Sequence, residues 1–226
     1  MSGRSPRWFT GIQGTYSDNF ADNTWEQIIA VCQKKIVPPT WKVGDQKAMT
    51  IGGTDYLIDI IGINHDTYTA GSIAPLTFQL HDCYGELKNM NSSRTNVGGW
   101  ASCSMRTVHL PAILALMPTE VKNSIREVNK LTSAGNRSAT INTTADKLFL
   151  LSEIEIFGSI AHSYSGEGTQ YDYYKAGNSR AKGGADSWWE RSPSASDSTH
   201  FCFVLRGNAS GSNANYATGV AFGFCF

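Results

Sequence analysis

Five histidines are the residues of this chain that first suggest metal binding or proton transfer: His65, His81, His109, His162 and His200. No two of them form an HxH or HxxxH pair, the spacings that bring two imidazoles to one side of a strand or helix. The first two are each followed by aspartate, but adjacent residues on a strand point to opposite faces. The sequence therefore predicts hydrogen-bonded structural histidines and no metal site. Asp66, which follows Asn64 closely, is interpreted as a turn residue.

Glu153 and Glu155 are close enough in sequence to suggest paired carboxylates for general acid–base chemistry. Ser152 and Glu155 also fit the S-x-x-E capping box, which explains the same residues by helix structure alone. Arg191, next to two tryptophans, predicts a buried arginine that ties a sheet to a loop. No nucleophile elbow, phosphate-binding glycine pattern or nucleophile–base pair is visible. We therefore expect a protein that is not an enzyme and needs no cofactor.

The cysteines form an odd and widely spaced set without a CxxC motif. This pattern favours neither a disulfide framework nor a zinc site in a chain of this length. We expect most of them to be small buried apolar residues. They are Cys32, Cys83, Cys103, Cys202 and Cys225.

The composition is that of an ordinary globular protein, with 226 residues, 41% hydrophobic and 17% charged residues and a formal net charge of zero. No cluster of Lys and Arg indicates a nucleic-acid partner. The longest apolar stretch, HLPAILALMP, is too short to span a bilayer, so no membrane insertion is expected. The first twenty residues contain no apolar signal-peptide region, and no signal peptide is expected.

The elements expected to position these residues are strands with two main helices. One helix, in DNTWEQIIAVCQKK, is capped by Asn23 or Thr24; the other, PTEVKNSIREVNKL, carries the stripe Val121, Ile125, Val128 and Leu131. A hairpin is predicted in TWKVGDQKAMTIGGTDYLIDIIGINHD and a strand in LTFQLHDCYG. TSAGNRSATINTTA is expected to be a loop, and DKLFLLSEIEIFG a strand followed by a helical turn. The fold class is therefore α+β, with antiparallel sheets and long loops.

The C-terminal stretch contains two predicted strands, FCFVL and GVAFGFCF, on either side of RGNASGSNANYATG. A hairpin needs two to five connecting residues, so the polar connection is interpreted as a long loop. Alternation along the first strand leaves Phe203, Leu205 and the following Arg206 as candidates for exposure. Two interpretations stay open here: a polar and aromatic binding surface, or a mobile Gly/Ser-rich loop.

Several stretches of this chain resemble variable proteins of diversity-generating retroelements. The most specific are WWERSP (188–193), FCFV (201–204), RGNA (206–209) and GVAFGFCF (219–226). Weaker matches are GGWASCSMR (98–106), PTEVKNSIREV (118–128), DKLFLLSEIEIFG (146–158) and EGTQYDYY (167–174). The resemblance implies a C-type-lectin-like domain over 25–226, diversified over about 188–226, after an N-terminal segment, 1–24, for assembly or attachment.

The same resemblance implies that template copying substitutes residues in the tail, mainly at adenines. Codons of the AAC type cannot become Lys, Glu, Gln, Met or Trp, and none of these residues follows Arg191. A second implied set forms an invariant scaffold: Trp188, Trp189, Arg191, Pro193, Cys202, Val204, Gly207, Gly219, Val220 and Phe224. The thirteen implied ligand-binding residues, termed the variable positions, are Ser194, Ser196, Asp197, His200, Phe203, Leu205, Arg206, Asn208, Ser210, Ser212, Asn213, Asn215 and Tyr216.

The implied function is binding of a host cell-surface receptor, a protein or a glycan. The expected location is a phage virion, at the tail tip, or a bacterial cell surface, and the expected form is a homo-oligomer such as a trimer. The calcium motifs of sugar-binding C-type lectins (EPN, QPD and WND) are absent, so calcium-dependent sugar binding is not carried over. Alternatives are an oxidase of the formylglycine-generating type using Cys202 and Cys225, or a structural domain with one fixed partner.

Overall fold

A computed structural model describes residues 16–226 of the chain. The sequence predicts an assembly or attachment role for residues 1–24; residues 1–15 of that segment lie outside the described part. A 3₁₀ turn at Phe20–Asp22 and a π-helix at Met105–His109 accompany the α-helices. The helices are α1 (Trp25–Lys34), α2 (Gly99–Ser102), α3 (Leu110–Leu116), α4 (Thr119–Ser124), α5 (Glu153–Phe157) and α6 (Asp172–Lys175).

Within the described residues the strands are antiparallel and form three sheets, so the chain has the predicted α+β class. No helix within residues 16–226 is long and apolar enough to cross a membrane. The strands are β1 (Gln46–Ile51), β2 (Thr54–Ile63), β3 (Leu76–Leu80), β4 (Val128–Gly135), β5 (Ser138–Asp146), β6 (Leu148–Phe149), β7 (Ser187–Pro193), β8 (His200–Leu205), β9 (Asn208–Asn213) and β10 (Gly223–Cys225).

Helix α1 forms as its sequence predicts. Thr24 is the N-cap: its hydroxyl accepts a hydrogen bond from the Gln27 amide, and the Gln27 side chain accepts one from the Thr24 amide. This reciprocal pair satisfies two amides that the helix itself leaves unbonded. The predicted apolar stripe, which includes Ile28 and Cys32, is buried.

The main sheet has five strands in the order β1-β2-β3-β10-β6. The predicted hairpin is confirmed as β1–β2, and the predicted strand after it as β3. Strand β10 lies between β3 and β6, so the last described residues are interior to the sheet. Tyr68 donates its hydroxyl to the carbonyl of Phe226, whose side chain is buried. The predicted C-terminal strand is therefore a central strand of the fold.

The predicted helix over 118–131 is confirmed only for its first part, Thr119–Ser124, and the predicted loop over 132–145 is wrong. The helix ends at Ser124, and Val128 begins β4, which pairs with β5 across the turn at Asn136 and Arg137. Both turn residues have a positive φ, the backbone conformation that a two-residue hairpin requires. Leu131 is 39% exposed, because alternate residues of a strand point to opposite faces. Helical residues 105–116 were not predicted as a helix.

The polar connection in the tail is not a long loop, and this prediction is also wrong. Arg206 and Gly207, both with positive φ, make a two-residue turn, and Asn208–Asn213 continues as strand β9. The second sheet has the order β7-β8-β9, so β9 is its edge strand. Only the residues after Asn213 form an extended connection to β10.

Candidate binding surface

The β8–β9 hairpin carries most of the variable positions. Its register is continuous from Leu205↔Asn208 to His200↔Asn213, without a bulge. The side chains of residues 201, 203 and 205 therefore share a face with those of 212, 210 and 208. Strand β8 is buried on both faces, whereas β9 is only partly covered.

Exposure divides the variable positions unequally. Ser194 and Phe203 are buried, with 6% and 7% exposure, and the Phe203 ring contacts that of Trp189 at 5.8 Å between centroids. The structure leaves the other eleven exposed or half-buried: Ser196, Asp197, His200, Leu205, Arg206, Asn208, Ser210, Ser212, Asn213, Asn215 and Tyr216.

Hydrogen bonds join the loop before β8 to the end of β9. The carboxylate of Asp197 accepts bonds from the Thr199 amide and hydroxyl, each at 2.6 Å, and lies 3.1 Å from Nδ1 of His200. These donors stabilise the charged form, so the pKa of Asp197 is held well below its usual value. The amide of Ala214 donates to the carbonyl of Thr199, and that of Tyr216 to the carbonyl of Asn213. The exposed residues of this region therefore belong to one connected surface.

Asn96, which no sequence motif marks, anchors this loop. It is fully buried, and its side-chain amide donates to the carbonyls of Asp197 and His200, at 2.8 and 2.7 Å. Its side-chain oxygen accepts from the amide of Asn136 at 2.8 Å, which links the β4–β5 hairpin to the same loop. Its context, SSRTNVGG, is that of an ordinary polar loop and gave no signal.

Two exposed apolar side chains flank the hairpin. Leu205 is 39% exposed and Tyr216 55% exposed. Arg206, at the hairpin turn, pairs with Asp186 at 3.1 Å, and both side chains are largely exposed. A pair of this kind contributes little stability and leaves the guanidinium available to a ligand.

The predicted scaffold residues are buried except for Gly207, which is half-buried at the hairpin turn. The indole N–H of Trp188 donates to the carbonyl of Arg180, and that of Trp189 to the carbonyl of Lys88. Gly219 has no room for a side chain, since an added Cβ would lie 2.5 Å from Sγ of Cys83. Strand β7 and the connection to β10 therefore form a rigid support for β8 and β9.

Arg191 is confirmed as a buried arginine that joins a sheet to neighbouring segments. It pairs with both carboxylate oxygens of Glu155, and it donates to the carbonyls of Leu131, Leu150 and Glu167. Burial alone would lower the pKa of Arg191, but the charge and hydrogen bonds of Glu155, together with Glu167 and Tyr171, raise it above its usual value. This side chain links β4, β7 and the segments that flank α5.

Lys130 extends this ion pair into a buried charge network, defined as Asp66, Lys130, Glu155 and Arg191. Nζ of Lys130 lies 2.5 Å from Asp66 and 3.3 Å from Glu155, and donates to the Tyr171 hydroxyl at 2.7 Å. Two cations balance two carboxylates, and both carboxyl groups have a lowered pKa although burial alone would raise it. Asp66, interpreted as a turn residue, is thus a core anion, and the sequence gave no signal for Lys130.

Three further buried carboxyl groups lie near this network. Glu153, the first, accepts hydrogen bonds from the amides of residues 161–163. Its neighbour Glu155, already part of the network, completes the capping box with Ser152, as predicted. Burial raises the pKa of Glu167 to about 7, although the Ser192 hydroxyl and the Ser133 amide bond to it. Glu190 is fully buried, and no hydrogen bond from residues 16–226 reaches either of its oxygens. Burial raises its pKa well above the usual value.

The cysteines are free and buried, as predicted. Cys202 lies in β8 and Cys225 in β10, which belong to different sheets, and burial raises the pKa of both thiols. Neither thiol is therefore prepared to act as a nucleophilic thiolate at neutral pH. Among residues 16–226, no group of three or more His, Cys, Asp or Glu side chains is arranged to hold a metal ion.

The histidines have individual partners. His81 bonds to Asp59 at 2.9 Å, and His109 to Asn89 at 3.0 Å. His65 stacks on the ring of Tyr171 at 4.0 Å between centroids, and burial lowers its pKa. These contacts account for all three as structural side chains.

An open cleft of about 240 Å³ lies apart from the variable positions, between α3 and the junction of β5 and β6. Arg106, on the π-helix, lies at its edge and pairs with the buried Asp146 at 2.5 Å. Asp146 also accepts from the indole N–H of Trp100 at 2.9 Å. The arginine therefore ties the π-helix to the end of β5.

Comparison with known proteins gives one family. No curated protein matches the chain, and no solved structure matches it. The family described as "Domain of unknown function (DUF6273)" matches residues 67–225, from the β2–β3 connection to the end of β10. Because this match covers more than half of the 226 residues, the chain belongs to the DUF6273 family.

Proposed function

We propose that this protein binds a receptor through a C-terminal surface whose residues are diversified by a retroelement, and that it has no enzymatic role. The observation that carries the proposal is the distribution of exposure in the tail. Eleven of the thirteen variable positions are exposed or half-buried, whereas the implied scaffold residues are buried except at the hairpin turn. Substitution at the exposed positions changes the surface and leaves the core unaltered.

The anchoring of the tail supports the same proposal. The segment after β9 is bonded to residues 84–91, through the amides of Tyr84 and Lys88 and the carbonyls of Val220 and Thr218. The chain then enters the main sheet as β10. A surface held at both ends in this way tolerates changes of side chain better than a free terminus does. The exposed set is rich in Asn and Ser with one tyrosine, a composition that suits adaptable recognition.

The proposal includes a C-type-lectin-like fold for residues 25–226. It also includes a receptor on a host cell, a protein or a glycan, and a location at a phage tail tip or on a bacterial surface. A single diversified site binds weakly, so we propose a homo-oligomer, for example a trimer, whose avidity compensates for this. Sedimentation that detects only monomer at micromolar concentration would contradict the oligomer.

The experiment that tests the function is deep sequencing of codons 188–226 in a growing population of the source. We expect substitutions at the exposed variable positions, and an unchanged sequence at Trp188, Arg191 and Gly219. Codons 40–78, in β1–β3 and their connections, are the matched control and should stay uniform. A tail as uniform as this control would refute diversification and leave a domain with a fixed partner.

A further inference from the structure

Strand β9 has one edge that no other strand of residues 16–226 occupies. This strand is the last in the sheet order β7-β8-β9, and its residues are exposed or half-buried. In an antiparallel pair, alternate residues direct their N–H and C=O groups to the partner strand or away from it. Leu205 and Asn208 close a two-residue hairpin as a hydrogen-bonded pair, and the amide of Ala214 donates to Thr199 in the same alternation. Ala209 and Gly211 therefore direct their backbone groups to the open edge.

These backbone groups have no partner in the described part of the chain. No hydrogen bond from residues 16–226 outside the hairpin reaches the N–H or C=O of Ala209 or Gly211. The edge also lacks the features that block strand addition: β9 contains no proline, no charged residue and no bulge. Its side chains are small, so another backbone can approach closely.

The variable positions follow the same alternation. In β9 they include Asn208, Ser210 and Ser212, whose backbones bond to β8, whereas Ala209 and Gly211 are not among them. Ala209 and Gly211, which direct their backbone groups to the open edge, thus lie outside the variable set. Asn213 follows the same alternation and is a variable position, but its carbonyl already accepts a hydrogen bond from the amide of Tyr216. The side chains of 208, 210 and 212 share one face beside that edge. Substitution there changes the side chains next to a bound strand without changing its backbone partners.

We propose that this protein binds its partner by strand addition, with an extended peptide segment of the partner pairing with the edge of β9. The backbone of Ala209 and Gly211 supplies the hydrogen bonds, and the neighbouring side chains select the sequence. This inference rests on the proposed binding function for its biological role. The edge itself is a property of the hairpin whether or not the tail is diversified.

Proline substitution at the edge tests the geometry. Gly211→Pro removes an N–H that β8 does not use, and a Cβ at this position would have only ordinary contacts, the nearest at 3.5 Å from the Phe201 carbonyl. We expect this variant to fold with a melting temperature close to that of Gly211→Ala. Ser210→Pro removes an amide that bonds to β8 and should lower the melting temperature. The opposite order would overturn the assignment of the edge.

Binding is tested with a library of random heptapeptides, selected on the full chain and counter-selected on Gly211→Pro. Selected peptides should bind Gly211→Ala as tightly as the original chain and Gly211→Pro at least about tenfold more weakly. N-methylation at alternate peptide nitrogens should weaken binding similarly, which keeps the test valid if the proline variant is unstable. No enriched peptide, or peptides that bind Gly211→Pro equally, would overturn strand addition.

The sequencing experiment separates this inference from the proposed function. A diversified tail with no edge-dependent peptide binding would leave the function and refute strand addition. A uniform tail with edge-dependent binding would refute diversification and leave strand addition to a fixed partner.

Discussion

Replacing Lys130 by methionine should destabilise the protein by about 3–5 kcal/mol at neutral pH, the usual cost of breaking a buried ion pair from one side. The Lys130 side chain is 2% exposed, and its ammonium lies 2.5 Å from Asp66, 3.3 Å from Glu155 and 3.9 Å from the centroid of the Phe149 ring. After the change, Glu155 keeps Arg191, but Asp66 keeps only neutral donors: the hydroxyls of Thr77 at 2.6 Å and Tyr171 at 2.8 Å, and the thiol of Cys225 at 3.9 Å. An uncompensated buried carboxylate therefore remains.

The pH dependence of this loss identifies its cause. In the original chain the pKa of Asp66 is lowered, so its contribution to stability is present above the unfolded pKa and is lost as pH falls through the folded pKa. Without Lys130 the main lowering influence is gone and burial raises that pKa, so protonation relieves the unpaired charge. The deficit of Lys130→Met should therefore be smaller at pH 5 than at pH 7.5.

The assay is urea unfolding followed by tryptophan fluorescence at both pH values. Lys175→Met is the matched control, because Lys175 is exposed and pairs with the exposed Asp172 at 3.0 Å; it should change the free energy of unfolding by less than about 0.5 kcal/mol. Equal effects of the two variants, or a deficit for Lys130→Met that does not change with pH, would refute the assignment of a buried charge network.

Three further predictions concern a carboxyl group, a turn and the thiols. Glu190 has a raised pKa, so the free energy of unfolding should fall as pH rises above the unfolded pKa, by up to about 1.4 kcal/mol per pH unit until the folded pKa is reached, and Glu190→Gln should reduce this fall. Arg137→Gly should stabilise the protein by about 1 kcal/mol in urea, because the residue has φ 59°. All thiols should resist a colorimetric thiol reagent until urea is added, since they are buried and Cys83, for example, has a pKa raised to about 11.

Each of these predictions has an internal comparison. Glu86→Gln, at an exposed carboxylate, should leave the pH slope unchanged, and an identical slope in Glu190→Gln would contradict a neutral buried Glu190. Arg94→Gly, on a loop, should not stabilise the protein, and a loss of stability in Arg137→Gly would contradict the turn geometry. A thiol that reacts before unfolding would contradict its burial.

Local signals in the sequence predicted the elements that depend on neighbouring residues. Helix α1 and α5 follow from capping boxes within four residues, and β1–β2 follows from alternation around a Gly-Gly turn. The β4–β5 hairpin was missed because Val121, Ile125 and Val128 also fit a helical stripe and its turn, Asn-Arg, contains no glycine. Pairing with β5, a non-local interaction, decides between the two patterns.

In the candidate surface, too, features set by neighbouring residues could be predicted, whereas those set by distant contacts could not. Strand alternation places Leu205 and Phe203 on one face, and the exposure of Leu205 agrees with it. Arg206 is exposed because it lies in the hairpin turn, and the burial of Phe203 depends on Trp189 in a neighbouring strand. Strand β9 was missed because its Asn, Ser and Gly residues have low strand propensity, and the two-residue turn before it imposes the pairing. The role of Asn96 could not be predicted from its neighbours, because its side chain bonds to Asp197 and His200, about a hundred residues away in the sequence.

The position of β10 has a consequence for how this protein is made. Phe224 pairs with Phe78, so the centre of the main sheet stays open until nearly all of the described chain has been synthesised. Pairing between such distant segments is slow and leaves the edge of β3 exposed meanwhile. A frameshift or stop codon anywhere before residue 223 removes this central strand. Translation errors within the tail should therefore yield chains that cannot fold and are degraded, so that only in-frame tails reach the mature protein.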